Sequence, residues 1–250
     1  MSGVLHCSPI YLENISTTID SIKKAIFEPL NISSEHWTSD IGSVGKKPVS
    51  GDIDIAIDVE YCDTNMFVEH LKKNGFDFKK TGGAIANIAF PIEGTQKGEY
   101  VQVDFFPTKS LEFTKFARFS PTPEESKYNG GMRSDLLGIL IKYCTLLVNE
   151  KENKMSYVSL KQDGAYKTIR LVDNSNIRIG EDVLITNKPE ELIKMVFGDK
   201  YNVRHFNSVE SIITLMMDDD FQYKYIIDEV FRRFEEIEEK KGRELPNEVK

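Results

Sequence analysis

Residues 50–58 read Ser-Gly-Asp-Ile-Asp-Ile-Ala-Ile-Asp. Alternating apolar and acidic residues mark a strand, because successive strand side chains face opposite ways. Ile53, Ile55 and Ile57 then share one face, toward a core, while Asp52 and Asp54 share the other. At about 3.3 Å per residue, the two aspartate Cα atoms lie roughly 7 Å apart. Like charges side by side on a half-buried strand repel each other, and cations between them turn repulsion into binding. Two-metal sites hold their ions about 3.5–4 Å apart. The pair can bridge that span with help from a third carboxylate. Asp104 is the candidate. Residues 98–107 also alternate, with Val101, Val103 and Phe105 on one face and Gln102, Asp104 and Phe106 on the other. A charge inside such an apolar run is costly unless it is paired or metal-bound. Pro107 is expected to stop this strand.

The Asp-x-Asp pattern has a second reading, as the solvated face of an edge strand opened by a Gly-Asp turn. Gly42-Ser43 upstream and Asp104 downstream favour the metal-binding reading. Asp58 lies on the Asp54 face two steps further on and is expected to be a solvated strand end.

Gly42-Ser43, eight residues, Asp52-x-Asp54 and a distant Asp104 on a second strand resemble the nucleotidyltransferase superfamily. Its members include DNA polymerase beta, CCA-adding enzymes, poly(A) polymerases and aminoglycoside nucleotidyltransferases. The run Gly-Ser-Val-Gly-Lys-Lys-Pro-Val-Ser-Gly-Asp-Ile-Asp at 42–54 looks most like the archaeal-type CCA-adding branch. So does Val-Asp-Phe-Phe-Pro at 103–107. The resemblance covers residues 11–107.

It implies transfer of a nucleoside monophosphate from an NTP to a hydroxyl. By resemblance, Asp52 and Asp54 hold two Mg²⁺ ions (or Mn²⁺), and Asp104 helps hold one of them and accepts the hydroxyl proton. The acceptor is left open among RNA, such as a tRNA 3′ end, a protein and a small molecule. The Gly42-Ser43 amides and the Ser43 hydroxyl can form a small anion nest for the triphosphate. Lys46 and Lys47 either reach phosphates or solvate the loop. In relatives, basic residues on the helix after the third carboxylate grip the triphosphate, which points to Arg133 and Lys142. A structural salt bridge is an equal reading for Arg133. Lys142, inside an apolar helix, needs a partner. Two other functions fit the same residues: a non-catalytic nucleotide-binding or regulatory protein, and an oligonucleotide or cyclic-dinucleotide synthase.

Composition narrows the partners. A net charge of −8 over 250 residues argues against a broad surface for coating nucleic acid, though not against a local basic groove. Cys7, Cys62 and Cys144 are widely spaced and odd in number, which suggests reduced thiols, a cytoplasmic location and no zinc motif. The start of the chain lacks a basic region followed by an apolar run, so no signal peptide is expected. No apolar stretch approaches the roughly 20 residues that span a bilayer, so no membrane partner is expected.

The elements read as an α+β fold: a nucleotidyltransferase-like mixed sheet backed by helices in 1–118, then a mostly helical region with a β-hairpin in 119–250. Apolar residues at helical spacing predict a helix over 11–27. A short strand at 36–41 delivers the Gly-Ser turn. A helix over 64–74 ends at Gly75, and 76–80 with 84–91 form a hairpin around Gly82-Gly83. Residues 119–131 read as a linker or crossing loop. Ser134 caps a buried helix that runs to 148. A hairpin turns at Asp163-Gly164 within 155–173, and 177–185 adds a strand. Helices follow over 189–197, closed by Gly198, then from Ser208 to 217, and over 223–237, before a charged, frayed tail.

The remaining candidates read as structural. Asp218-Asp219-Asp220 resembles a metal cluster but caps a helix. Arg232-Arg233 and Lys240-Lys241 form solvated helix faces. His6, His36 and His70 lack a nucleophile pattern. His205 is a surface residue that could touch a nucleotide, and Trp37 belongs to the core.

Overall fold

In a computed structural model of the chain, residues 5, 7–80, 83–95, 98–247 and 249 are described. His6 and Gly82 lie outside the described residues. The chain is α+β and divides into two units, Met1–Lys115 and Phe116–Lys250. Among the described residues no helix is long and apolar enough to cross a membrane.

The first unit opens with β1 (Ile10–Tyr11) and α1 (Leu12–Ile22), which continues as one wider turn to Phe27. Then come β2 (Trp37–Thr38), β3 (Val49–Ser50), β4 (Asp52–Asp58) and α2 (Thr64–Lys73). The unit's last elements are β5 (Phe78–Lys79), β6 (Ala86–Pro91), β7 (Tyr100–Thr108) and most of α3 (Leu111–Ala117), the unit itself ending at Lys115. Five strands make one sheet in the order β2-β4-β7-β6-β5. The β4–β7 pair is parallel and the other pairs are antiparallel, so the sheet is mixed.

The period-two pattern of β4 and β7 decides which face is covered. Ile53, Ile55, Ile57, Val101, Val103 and Phe105 join Ile15, Ile22, Phe67 and Leu71 of α1 and α2 in one core. Each fully buried side chain of this size contributes about 1.5–3 kcal/mol. Trp37 stacks on Phe27 with ring centroids 4.5 Å apart, a core contact. Helix α2 is bounded locally. The Asp63 side chain accepts from the Asn65 and Met66 amides, and Gly75 takes a left-handed φ of 74° just past the end.

Strand β7 does not stop at Pro107; it runs to Thr108. The Thr108 carbonyl accepts the Val59 amide of the β4 side. Pro107, one residue earlier, therefore turns its nitrogen away from β4. On that side β6 pairs no further than Phe105. A missing N–H costs nothing where no strand needs it. The expected strand at 36–41 is only Trp37–Thr38, paired with Ile57 and Ala56.

The second unit contains α4 (Gly130–Cys144), β8 (Leu147–Asn149), β9 (Lys154–Lys161), β10 (Gly164–Leu171), β11 (Val183–Thr186), α5 (Pro189–Phe197), α6 (Val209–Met217) and α7 (Ile227–Lys240). Strands β11-β10-β9-β8 form an antiparallel sheet. The core draws Leu136, Leu137, Leu140 and Ile141 from α4, with Ile193, Ile212, Val230 and Phe234.

Several expected boundaries move here. Helix α4 begins at Gly130 because the Asn129 side chain accepts from the Met132 amide. Ser134 is inside the helix and donates its hydroxyl to the Ala117 carbonyl. Thr145 closes α4, and the chain continues as a strand rather than as helix to 148. The 177–185 strand is confined to β11, and the last helix begins at Ile227. The tail is anchored. Lys241 pairs with Asp135, Arg243 bonds Asp135 at 3.3 Å and Glu238 at 3.2 Å, and Leu245 is buried.

Candidate metal centre

Three carboxylates meet on the sheet face opposite the main core. Parallel pairing sets Asp54 directly beside Asp104, and Asp52 beside Gln102. One oxygen from each of Asp52, Asp54 and Asp104 can be chosen so that all three lie within 4.8 Å of one another. Further along the same face, Ala56 and Phe106 pack with Ile41 and Ala84. The acidic cluster thus occupies the start of β4 and the middle of β7 and is bordered by an apolar layer.

The electrostatics of the cluster are unbalanced. Burial pushes the Asp52 carboxyl above its usual range, the Asp104 charge adds to the rise, and Lys47 partly opposes it. Three carboxylates offer an all-oxygen donor set, which suits a hard cation such as Mg²⁺ or Mn²⁺ and not a thiolate-seeking ion.

Gly42 explains how the preceding loop shapes the site. Its φ is +64°, a left-handed conformation that side chains rarely adopt. A Cβ built there would overlap Oδ2 of Asp54. The backbone of the loop lies against the carboxylate, and only glycine serves both demands. Gly42→Ala is therefore expected to lower stability by about 1–2 kcal/mol from the backbone term alone and to displace Asp54. Urea unfolding, with a crystal structure of the variant, checks both. Wild-type stability and an unmoved Asp54 would remove Gly42 from the site.

The rest of the loop is folded on itself. The Ser43 carbonyl accepts the Lys46 amide at 3.2 Å and the hydroxyl of buried Ser50 at 3.4 Å. The Lys46 ammonium lies 3.7 Å from Asp40, which also faces Lys115 at 3.9 Å. Lys47 is the loop cation whose charge acts on Asp52.

No family model matches the chain, and no curated protein matches it.

Arg133 and Lys142 belong to the second unit. Arg133 is fully buried, which corrects its expected role as a triphosphate ligand. Its Nε donates to the Phe206 carbonyl at 2.7 Å, and Nη1 donates to Phe116 at 2.6 Å and Ala117 at 3.4 Å. The guanidinium also lies 4.9 Å from the centre of the Phe116 ring. Burial lowers its pKa from the usual value, and carbonyl acceptors with an aromatic face stand in for a counter-anion. Lys142 is half-buried over the rings of Tyr143 at 5.3 Å and Tyr157 at 5.1 Å. Burial lowers its pKa, and Arg233 and Arg170 lower it further.

The lesser candidates take structural places. The Asp58 side chain accepts the Glu60 amide where β4 ends. Lys200 bridges Asp218 and Asp220, at 3.0 and 2.9 Å. His70 Nε2 lies 3.0 Å from the Ala25 carbonyl, and His205 completes a capping box with Asn202.

Two polar residues in the cluster were not singled out by sequence. Asn87 and Gln102 both donate to Asp104. Gln102 was readable, since it lies two residues before Asp104 on the same strand face. Asn87 was not, because its place depends on the register of β6 against β7.

Proposed function

We propose that this chain is a metal-dependent nucleotidyltransferase, moving a nucleoside monophosphate from an NTP to a hydroxyl acceptor. The observation that carries the reading is the convergence of Asp52, Asp54 and Asp104 from two adjacent parallel strands. The Gly42 turn backed against Asp54 supports it. Asp52 and Asp54 would hold two Mg²⁺ ions, with Asp104 completing the set. When bound, such ions lower the pKa of an attacking hydroxyl and neutralise the leaving pyrophosphate. Gly42 lets the backbone approach a phosphate closely, and Lys47 supplies local positive charge. The acceptor class is proposed only as hydroxyl-bearing. Free thiols at Cys7, Cys62 and Cys144 support a reducing, cytoplasmic setting.

The test is incubation with each labelled NTP and Mg²⁺, with and without total RNA. Label moved to RNA, to protein or to a small product identifies the acceptor. No transfer under any condition overturns the catalytic reading and favours a regulatory nucleotide binder.

Binding has its own signature. A ligand that binds only the folded state stabilises it by RT ln(1 + [L]/Kd), about 2.7 kcal/mol at one hundred times Kd. An NTP with Mg²⁺ is expected to raise the Tm, and the NTP in chelator to raise it far less. The triphosphate would otherwise approach three carboxylates on a chain of net charge −8. A thermal-shift titration in both conditions measures this. Equal shifts would put the nucleotide away from Asp52 and Asp54.

A further inference from the structure

Asp104 is gripped by two amides. Asn87 is its register partner on β6, and Gln102 precedes it by two residues on β7. Asn87 Nδ2 donates to Oδ1 of Asp104 at 2.7 Å. Gln102 Nε2 donates to Oδ1 at 2.9 Å and to Oδ2 at 3.1 Å. Asn87 is 2% exposed and Gln102 4%. The Leu5 amide donates to Gln102 Oε1 at 3.4 Å, which sets the nitrogen end of that side chain toward Asp104.

Two facts make this more than ordinary packing. A buried amide is costly without partners, and an apolar side chain would fill the same volume more cheaply. A carboxylate oxygen has two lone-pair directions, and both of those on Oδ1 are met by short amide bonds. Among the described residues Oδ2 receives one longer bond, from Gln102.

We propose that Asn87 and Gln102 are positioning residues that saturate Oδ1 of Asp104 and leave Oδ2 as the single oxygen it presents to a cation. The inference rests on reading the three carboxylates as a metal centre. Without the two amides, Asp104 is free to rotate away from Asp52 and Asp54, and the cation must order it on binding. Groups that orient a metal ligand typically change metal affinity by about 10–100-fold when removed.

The experiment is Mn²⁺ binding followed by electron paramagnetic resonance, without nucleotide. The proteins are wild type, Gln102→Met, Asn87→Leu and Leu5→Pro. Gln102→Met and Asn87→Leu keep volume and lose the donors. Leu5→Pro removes the N–H that orients Gln102, together with the leucine side chain, at a position outside β6 and β7, so it reports even if a core variant fails to fold. The expected result is about 10–100-fold weaker Mn²⁺ binding in the first two variants and a smaller loss, about threefold, in Leu5→Pro. In transfer assays kcat falls, while KM for the NTP stays within about twofold. Wild type that binds Mn²⁺, with folded variants that bind it equally well, overturns the positioning role alone. Wild type that binds no Mn²⁺ overturns the metal-centre reading and the positioning role with it.

Discussion

Asp54→Asn is expected to abolish transfer, with a loss on the order of 10³-fold, the size seen when one group that stabilises developing charge leaves an active site. Asp54 is the residue on which the site converges. It is the register partner of Asp104, lies two residues from Asp52 on one strand face, and is packed against Gly42. The substitution is nearly isosteric, so the strand and its core face are undisturbed. It also removes one of three crowded like charges. The metal-free variant should therefore be at least as stable as wild type, by up to about 1 kcal/mol. Activity and urea unfolding thus move in opposite directions, a result that general damage to the fold cannot mimic. Wild-type turnover with every NTP the native protein uses would remove Asp54 from the chemistry.

Arg133→Met carries the largest expected effect on stability. The Arg133 guanidinium ties the Phe206 carbonyl to those of Phe116 and Ala117. Removing it takes the short guanidinium bonds from the Phe206 and Phe116 carbonyls, each costing about 1–3 kcal/mol, while Ala117 keeps the Ser134 hydroxyl. The expected loss is about 3 kcal/mol or more, read by denaturant unfolding. Arg133→Lys should recover little, since a single ammonium cannot reproduce the fork that meets carbonyls on different segments. A triphosphate ligand would give the opposite pattern, with weaker NTP binding at unchanged stability. That pattern would reinstate Arg133 as a nucleotide contact.

These two residues also mark what could be read from the sequence. Asp52, Asp54 and Asp104 were legible because a period of two is local: each strand declares its acidic face through its own isoleucines, valines and phenylalanines. Helices α5 and α6 were bounded correctly for a similar reason, since Pro189, Gly198 and Ser208 are start and stop signals in themselves. Arg133 was not legible. A basic residue on a helix looks the same whether its head meets solvent or a carbonyl 73 residues away. Asn129 rather than Ser134 caps α4 because three-residue spacing to a free amide decides the cap, and both residue types qualify on composition. Pro107 reads as a strand end only until the neighbouring strand is known to stop short of it.

The parallel register of β4 and β7 ties the chemistry to the fold in a particular way. A slip of one residue would turn every β7 side chain to the other face, burying Asp104 and bringing Val103 and Phe105 to the carboxylates. The hydrophobic core is thus the jig that aligns the acidic cluster, and the two cannot drift apart separately. The intervening chain from 59 to 99 is under a different constraint. It can lengthen or shorten in its turns without moving a single carboxylate, provided both strands keep their pairing. The distance in sequence between the Asp-x-Asp pair and its third partner is accordingly free to vary, and the face and the neighbour are what the chemistry holds constant.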